Sequence, residues 1–133
     1  MILFVDKFVE DFKSKAIKID VIGTPPSTQH IYGRRKGGGS YLKKEAISYR
    51  RDVMYEAKQV HKLGNPPSVN NFVVGILYYF PDKKIRDVDN YRKLIFDGMS
   101  GVVWEDDKQI ELDFSRKYID RDNPRVEIYY IEC

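Results

Sequence analysis

Soft metal ligands and ready nucleophiles are almost missing from this sequence: 133 residues hold one cysteine, Cys133, and two histidines, His30 and His61. A single thiol excludes an intrachain disulfide and any cysteine-cluster metal site, and argues against a cysteine nucleophile. A reducing, cytoplasmic setting is the matching expectation. No Gly-x-Ser-x-Gly occurs, and neither histidine has an evident partner, so serine-type nucleophilic catalysis is unsupported. Long apolar runs are missing too. The longest, Phe72 to Phe80, is nine residues, far short of the ~18 that suggest a membrane span. Met1 to Val5 is apolar, but Asp6, Glu10 and Asp11 follow it, which does not fit a secretory signal peptide. There is no internal repeat, coiled-coil heptad or Cys/His finger.

What is present is charge, and it is segregated. The net charge is only +3. Residues 33–62 hold nine Lys/Arg against three Asp/Glu, whereas residues 87–113 hold eight acids against three bases. A basic block suits a polyanion and an acidic block suits cations. The two also read as ordinary solvated faces. The length fits one domain, 1–133, with enough chain to bury a core.

Hydrophobic periodicity predicts the elements. Residues 2–15 read as a short helix or a frayed arm. Ile17, Ile19 and Val21 alternate with polar residues as in a half-buried strand. Gly33 to Ser40, Gly-Arg-Arg-Lys-Gly-Gly-Gly-Ser, reads as a mobile basic loop. A helix is expected from about Leu42 to Lys62, stopped by Gly64 and Pro66-Pro67. Phe72 to Phe80, apolar on both faces, reads as a central strand. Asp89 or Asn90 is expected to cap a second helix running to about Met99. Val102 to Trp104 reads as a short strand. Ile110/Leu112/Phe114 and Val126/Ile128/Tyr130 read as two more, joined by a turn at residues 120–124. The order is β-α-β-α-β-β-β: an α+β fold, a mixed sheet with two main helices packed on it.

Two motifs carry chemistry. Gly33-x4-Gly38-Gly39-Ser40 nearly matches a phosphate-cradling P-loop, but Gly39 stands where the lysine should be and no apolar strand runs into it. Nucleotide hydrolysis is therefore not expected, although three bases on a loop suit contact with a phosphate backbone. The acidic block opens with Ile85-Arg86-Asp87-Val88-Asp89-Asn90-Tyr91-Arg92-Lys93. Asp87 and Asp89 are two apart, so in extended chain their carboxylates point the same way. Such carboxylates repel unless a cation sits between them, and oxygen-only ligation suits Mg²⁺ or Mn²⁺ rather than zinc. If Asp89 begins a helix, Lys93 and Asp97 follow on its face. Glu105, Asp106 and Asp107, after Trp104, could fold back to complete the site. The same residues also read as a helix cap and a surface ion-pair ladder.

At these positions the chain resembles the RusA-type crossover junction endodeoxyribonucleases. The resemblance rests on Asp87-x-Asp89-Asn90-x-x-Lys93, then Phe96-Asp97-Gly98, then Val103-Trp104-x-Asp106-Asp107-x-Gln109-Ile110. Gly23-x-Pro25 and Tyr41-Leu42 support it. Met99 replaces the usual Leu, and Gln29 and His30 fall where the family often has Asn. The resemblance implies a Mg²⁺-dependent homodimer (Mn²⁺ being the alternative ion) that resolves Holliday junctions by paired nicks in DNA recombination and repair. It makes Asp87, Asp89 and Asp107 the essential carboxylates, with Asp106 a further candidate ligand, and Lys93 the essential base. DNA contacts are expected from Arg34, Arg35, Lys36, Arg86 and Asn90. The rival expectation is a non-catalytic nucleic-acid-binding protein with a structural metal site.

Overall fold

The computed structural model describes residues 2–26, 31–62 and 64–133; Gln29 and His30 lie outside them. The class is α+β as expected, with α1 (Ile2–Lys15), β1 (Ile17–Ile22), β2 (Tyr32–Arg34), β3 (Ser40–Leu42), α2 (Lys44–His61), β4 (Phe72–Phe80), α3 (Val88–Met99), β5 (Ile110–Ile119) and β6 (Arg125–Glu132). The main sheet runs β1-β6-β4-β5. Only the β4–β5 pair is parallel, because α3 carries the chain back between them; β4–β6 and β1–β6 are antiparallel.

Strand β4 is apolar on both faces because both are covered. Val74, Ile76, Tyr78 and Phe80 pack with Ala46, Tyr49, Val53 and Ala57 of α2 and with Tyr91, Leu94, Ile95 and Met99 of α3. Val73, Leu77 and Tyr79 face the other way, onto Val9 and Phe12 of α1. The N-terminal segment is thus a docked helix rather than a frayed arm. A helix of 14 residues is marginal by itself in water. What holds α1 is the burial of Val9 and Phe12, at roughly 1.5–3 kcal/mol each, and the pairing of Asp6 with Arg116 at 2.6 Å.

Helices α2 and α3 cross closely where α3 has glycine. A Cβ on Gly98 would lie 2.9 Å from the Arg50 carbonyl oxygen and 2.9 Å from Val53 Cβ. The buried residues of α2, Ala46, Tyr49, Val53 and Ala57, recur at helical spacing.

Three sequence expectations are corrected. Residues 33–40 do not form a plain loop but most of a β-ribbon, in which Tyr32 pairs with Leu42, Gly33 with Tyr41 and Arg34 with Ser40. Gly37, Gly38 and Gly39 all have positive φ, so the three glycines close a tight turn rather than supply slack. Val102 to Trp104 is not a strand. It is a turn in which the Val102 and Val103 amides both donate to the Met99 carbonyl at 3.1 Å; these residues are apolar because they are buried. The cap of α3 is Asp87, not Asp89 or Asn90: Asp87 is extended and its carboxylate accepts the Asp89 amide at 3.0 Å.

Candidate active site

The acidic block folds onto one side of α3 and the turn that follows it. Asp87 ends the extended approach from β4 and caps the helix, with Oδ1 engaged by the Asp89 amide. Asp89, in the first helical turn, is largely exposed; its neighbour is the Arg92 guanidinium at 4.0 Å. Arg92 reaches further, donating to Asp113 Oδ1 of β5 at 3.1 Å, and so ties α3 to the sheet edge beside the site.

One and two turns on from Asp89 come Lys93 and Asp97. Lys93 Nζ donates to Asp97 Oδ1 at 2.9 Å and stands 3.7 Å from Asp107 Oδ2. The ladder read from the i, i+4 spacing is therefore real, and it has a third member from outside the helix. The hydrogen bond to Asp97, together with the charges of Asp97 and Asp107, outweighs partial burial and raises the Lys93 pKa above its ordinary value. At neutral pH Lys93 is a fixed cation, not an amine free to take a proton.

Asp107 is held there by the core. Trp104 is fully buried against Phe72, Phe96 and Tyr130, so its indole N–H has one fixed direction. It donates to Ser100 Oγ at 3.2 Å, and Ser100 in turn donates to Asp107 Oδ1. With a lone pair already accepting from the indole, the serine proton is left to the carboxylate. Gln109 fixes the same turn from the other end. Its carbonyl accepts the Glu105 and Asp106 amides at 2.9 and 3.0 Å, and its amide nitrogen donates to the Ser68 and Asn70 carbonyls at 2.8 and 2.7 Å. All four bonding positions of that buried amide are filled.

Neither Ser100 nor the arginine clasp Arg92–Asp113 was visible as site chemistry in the sequence. Ser100 sits in Met-Ser-Gly, which reads only as a helix end. Two expected residues are committed elsewhere in the structure. Asp106 caps the 3₁₀ turn Asp107–Gln109, accepting the Lys108 amide at 3.0 Å. Arg86 donates to Asp82 Oδ1 at 2.9 Å and lies 4.5 Å over the Phe80 ring. Arg34, Arg35 and Lys36 stand exposed on the ribbon and make no ion pair among the described residues.

The donors on this side are all carboxylate oxygens, the right kind for Mg²⁺ or Mn²⁺. Among the described residues no group of three or more His, Cys, Asp or Glu side chains stands close enough to hold a metal ion. The helix explains this. Lys93 is six residues past Asp87, a rise of about 9 Å, so the lysine is what meets Asp107 while Asp87 and Asp89 stay at the helix start. No described helix is long and apolar enough to cross a membrane.

Beside α3, Lys93 thus stands against two carboxylates, in a fold that also carries a basic ribbon. Residues 23–130 match the family model Endodeoxyribonuclease RusA, and the chain belongs to that family of endonucleases. No curated protein matches the chain. Helix α1 and strand β1 precede the matched segment.

Proposed function

We propose that this protein resolves Holliday junctions by metal-dependent, paired nicking as a homodimer, in DNA recombination and repair. The observation that carries the reading is the Lys93 ammonium, seated between Asp97 and Asp107 within the segment that matches the family. Asp87, Asp89 and Asp107 are the carboxylates proposed for Mg²⁺ or Mn²⁺, which requires them to draw together when the ion binds, since they stand apart without it; Asp106 is engaged in fixing the turn. An ion bound there would lower the pKa of its water, so that hydroxide would be available near neutral pH. The protein's own residues do the rest. Lys93 sets a positive charge beside the phosphoryl oxygens, where charge develops during displacement. Asn90, one residue past Asp89, offers an amide to the nucleotide. Arg34, Arg35 and Lys36 meet phosphates, the sequence-independent part of the affinity. A non-catalytic binding role gains nothing from the family match.

The test is a four-way junction incubated with and without Mg²⁺. Wild-type protein is expected to nick it only with the ion, while Asp89→Asn binds and does not cut, since Asn keeps the shape and loses the anion. Cleavage at the wild-type rate by Asp87→Asn, Asp89→Asn and Asp107→Asn alike would overturn the site.

A further inference from the structure

We infer that the β2–β3 ribbon is a base-stacking subsite, with Tyr41 as the platform for one nucleobase exposed at the branch point; this rests on the reading above that the chain binds branched DNA. Tyr41 lies directly across the ribbon from Gly33. A Cβ on Gly33 would come within 2.5 Å of the Tyr41 ring carbon Cζ and 2.6 Å of its hydroxyl oxygen, so the hydroxyl end of the ring lies over glycine backbone and any side chain at position 33 would have to displace it. The residue is nevertheless 44% exposed, which leaves ring surface open to a planar ligand.

The setting selects the ligand. No Asp or Glu occurs from Val21 to Lys44, while Arg34, Arg35 and Lys36 project from the same ribbon without ion pairs among the described residues. An open aromatic face amid unneutralised cations fits a nucleobase still attached to its phosphate. An apolar peptide or lipid would leave those cations unmatched. The platform is also rigid. Ile31, just before the ribbon, is fully buried, its carbonyl accepts the Lys43 amide at 2.7 Å, and Leu42 packs on the core. Stacking on a preorganised ring forfeits little side-chain entropy.

A tyrosine over a ribbon glycine also stabilises strand pairing by itself, so the experiment has to separate covering from stacking. Tyr41→Leu still covers Gly33 but has no π face, Tyr41→Phe keeps both properties, and Gly33→Val displaces the ring. Binding is measured by fluorescence anisotropy on a four-way junction and on fully paired duplex of the same length. Stacking is worth about five- to 150-fold in affinity. Tyr41→Leu and Gly33→Val should lose that much on the junction, change duplex binding less than about twofold, and leave the circular dichroism as wild type. Tyr41→Phe should match wild type on both DNAs. The triple alanine variant of Arg34, Arg35 and Lys36 should weaken both DNAs alike. Wild-type binding of the junction by Tyr41→Leu, in a protein that prefers junction to duplex, overturns the stacking subsite alone. A wild-type protein with no preference for the junction overturns the functional reading and the subsite with it.

Discussion

Lys93 is a charge held in place by two carboxylates, and that defines how its loss should be felt. Removing one positioned donor from a developing oxyanion typically costs about 10²- to 10³-fold in rate. Lys93→Ala is expected to lose that much in single-turnover cleavage while melting within a few degrees of wild type, since the side chain is 61% exposed. Lys93→Arg should not recover the full rate, because a planar fork sets its donors differently from a point charge. Since Lys93 is pushed upward from an already high value, no limb of the pH–rate profile near neutrality should belong to it. A limb near pH 7 that vanishes in Lys93→Arg would contradict this. Ser100 acts one step further back. Ser100→Ala strands the buried indole N–H of Trp104, at roughly 1–3 kcal/mol, and frees Asp107 to turn. The expected result is a lower melting temperature together with a higher Mg²⁺ concentration for half-maximal rate. Ser100→Thr should restore both, and a Ser100→Ala enzyme with unchanged metal dependence would show that the hydroxyl serves folding only. The charged members of this group were legible from spacing, because i, i+4 on a helix is a property of sequence. Ser100 was not, because its meaning lies in two contacts made across a turn. The commitment of Asp106 to a cap was hidden for the same reason: adjacent acids look alike until the backbone decides which one turns inward.

At the level of elements, Gly98 sets how closely α3 can lie on α2. Its added Cβ would meet a backbone carbonyl, which cannot swing away. Gly98→Ala is therefore expected to cost about 1–3 kcal/mol by overpacking, read in urea as a lower midpoint with unchanged slope. Cleavage should fall more than the unfolded fraction explains, because α3 carries Asp89, Lys93 and Asp97. The pairing of β1 with β6 has an electrostatic component. Burial pushes the Glu127 carboxyl upward, but hydrogen bonds from Tyr129 and Arg125, with the Lys18 charge, outweigh it, and the net shift is downward. A carboxyl depressed in the folded state adds stability that is complete above its unfolded pKa and is lost as pH falls through the folded one. The melting temperature should then decline as pH drops below about 4, and Glu127→Gln should flatten that decline; an identical slope in the variant would remove Glu127 from the account. Of the fold itself, α2, β5 and β6 were readable because each repeats its apolar positions with one period, and β4 because its nine residues form an unbroken apolar run. The ribbon was not, since three glycines look the same whether they loosen a loop or satisfy three positive φ values. Val102 to Trp104 misled for a different reason: burial made three successive residues apolar, while the pairing there amounts to isolated bridges of Trp104 with Ser68 and Ser100.

On the scale of the whole molecule, the proposed resolution of a Holliday junction requires one kind of site to make two cuts. A Holliday junction is approximately two-fold symmetric, and its resolution needs one nick in each of two strands of like polarity. The described residues gather one candidate site beside α3, so two symmetric nicks call for two copies, and a closed two-fold dimer is the commonest way to present equal sites. The final strand, β6, and the N-terminal helix, α1, are the two elements to weigh for the contact. Strand β6 is enclosed, hydrogen-bonded to β1 on one side and β4 on the other, so it has no free edge to offer a partner. Helix α1 is different. Val9 and Phe12 are spent on the sheet, while Ile2, Leu3 and Phe4 are 72%, 84% and 72% exposed. Leu112, exposed as well, lies on the α1 side of β5 by the two-residue alternation that it shares with Phe114 and Tyr118. A standard interface takes about 800 Å² per partner, more than one helical turn supplies, so the α1 turn and the β5 margin would have to be buried together. Sedimentation at working concentration should give about twice 15.7 kDa. Leu3→Asp with Phe4→Asp should return the monomer mass and convert paired nicking into single, uncoordinated nicks, leaving the melting of the monomer core intact. A dimer that survives both substitutions would move the interface elsewhere, and a monomer that cuts both strands within one binding event would remove the need for a dimer altogether.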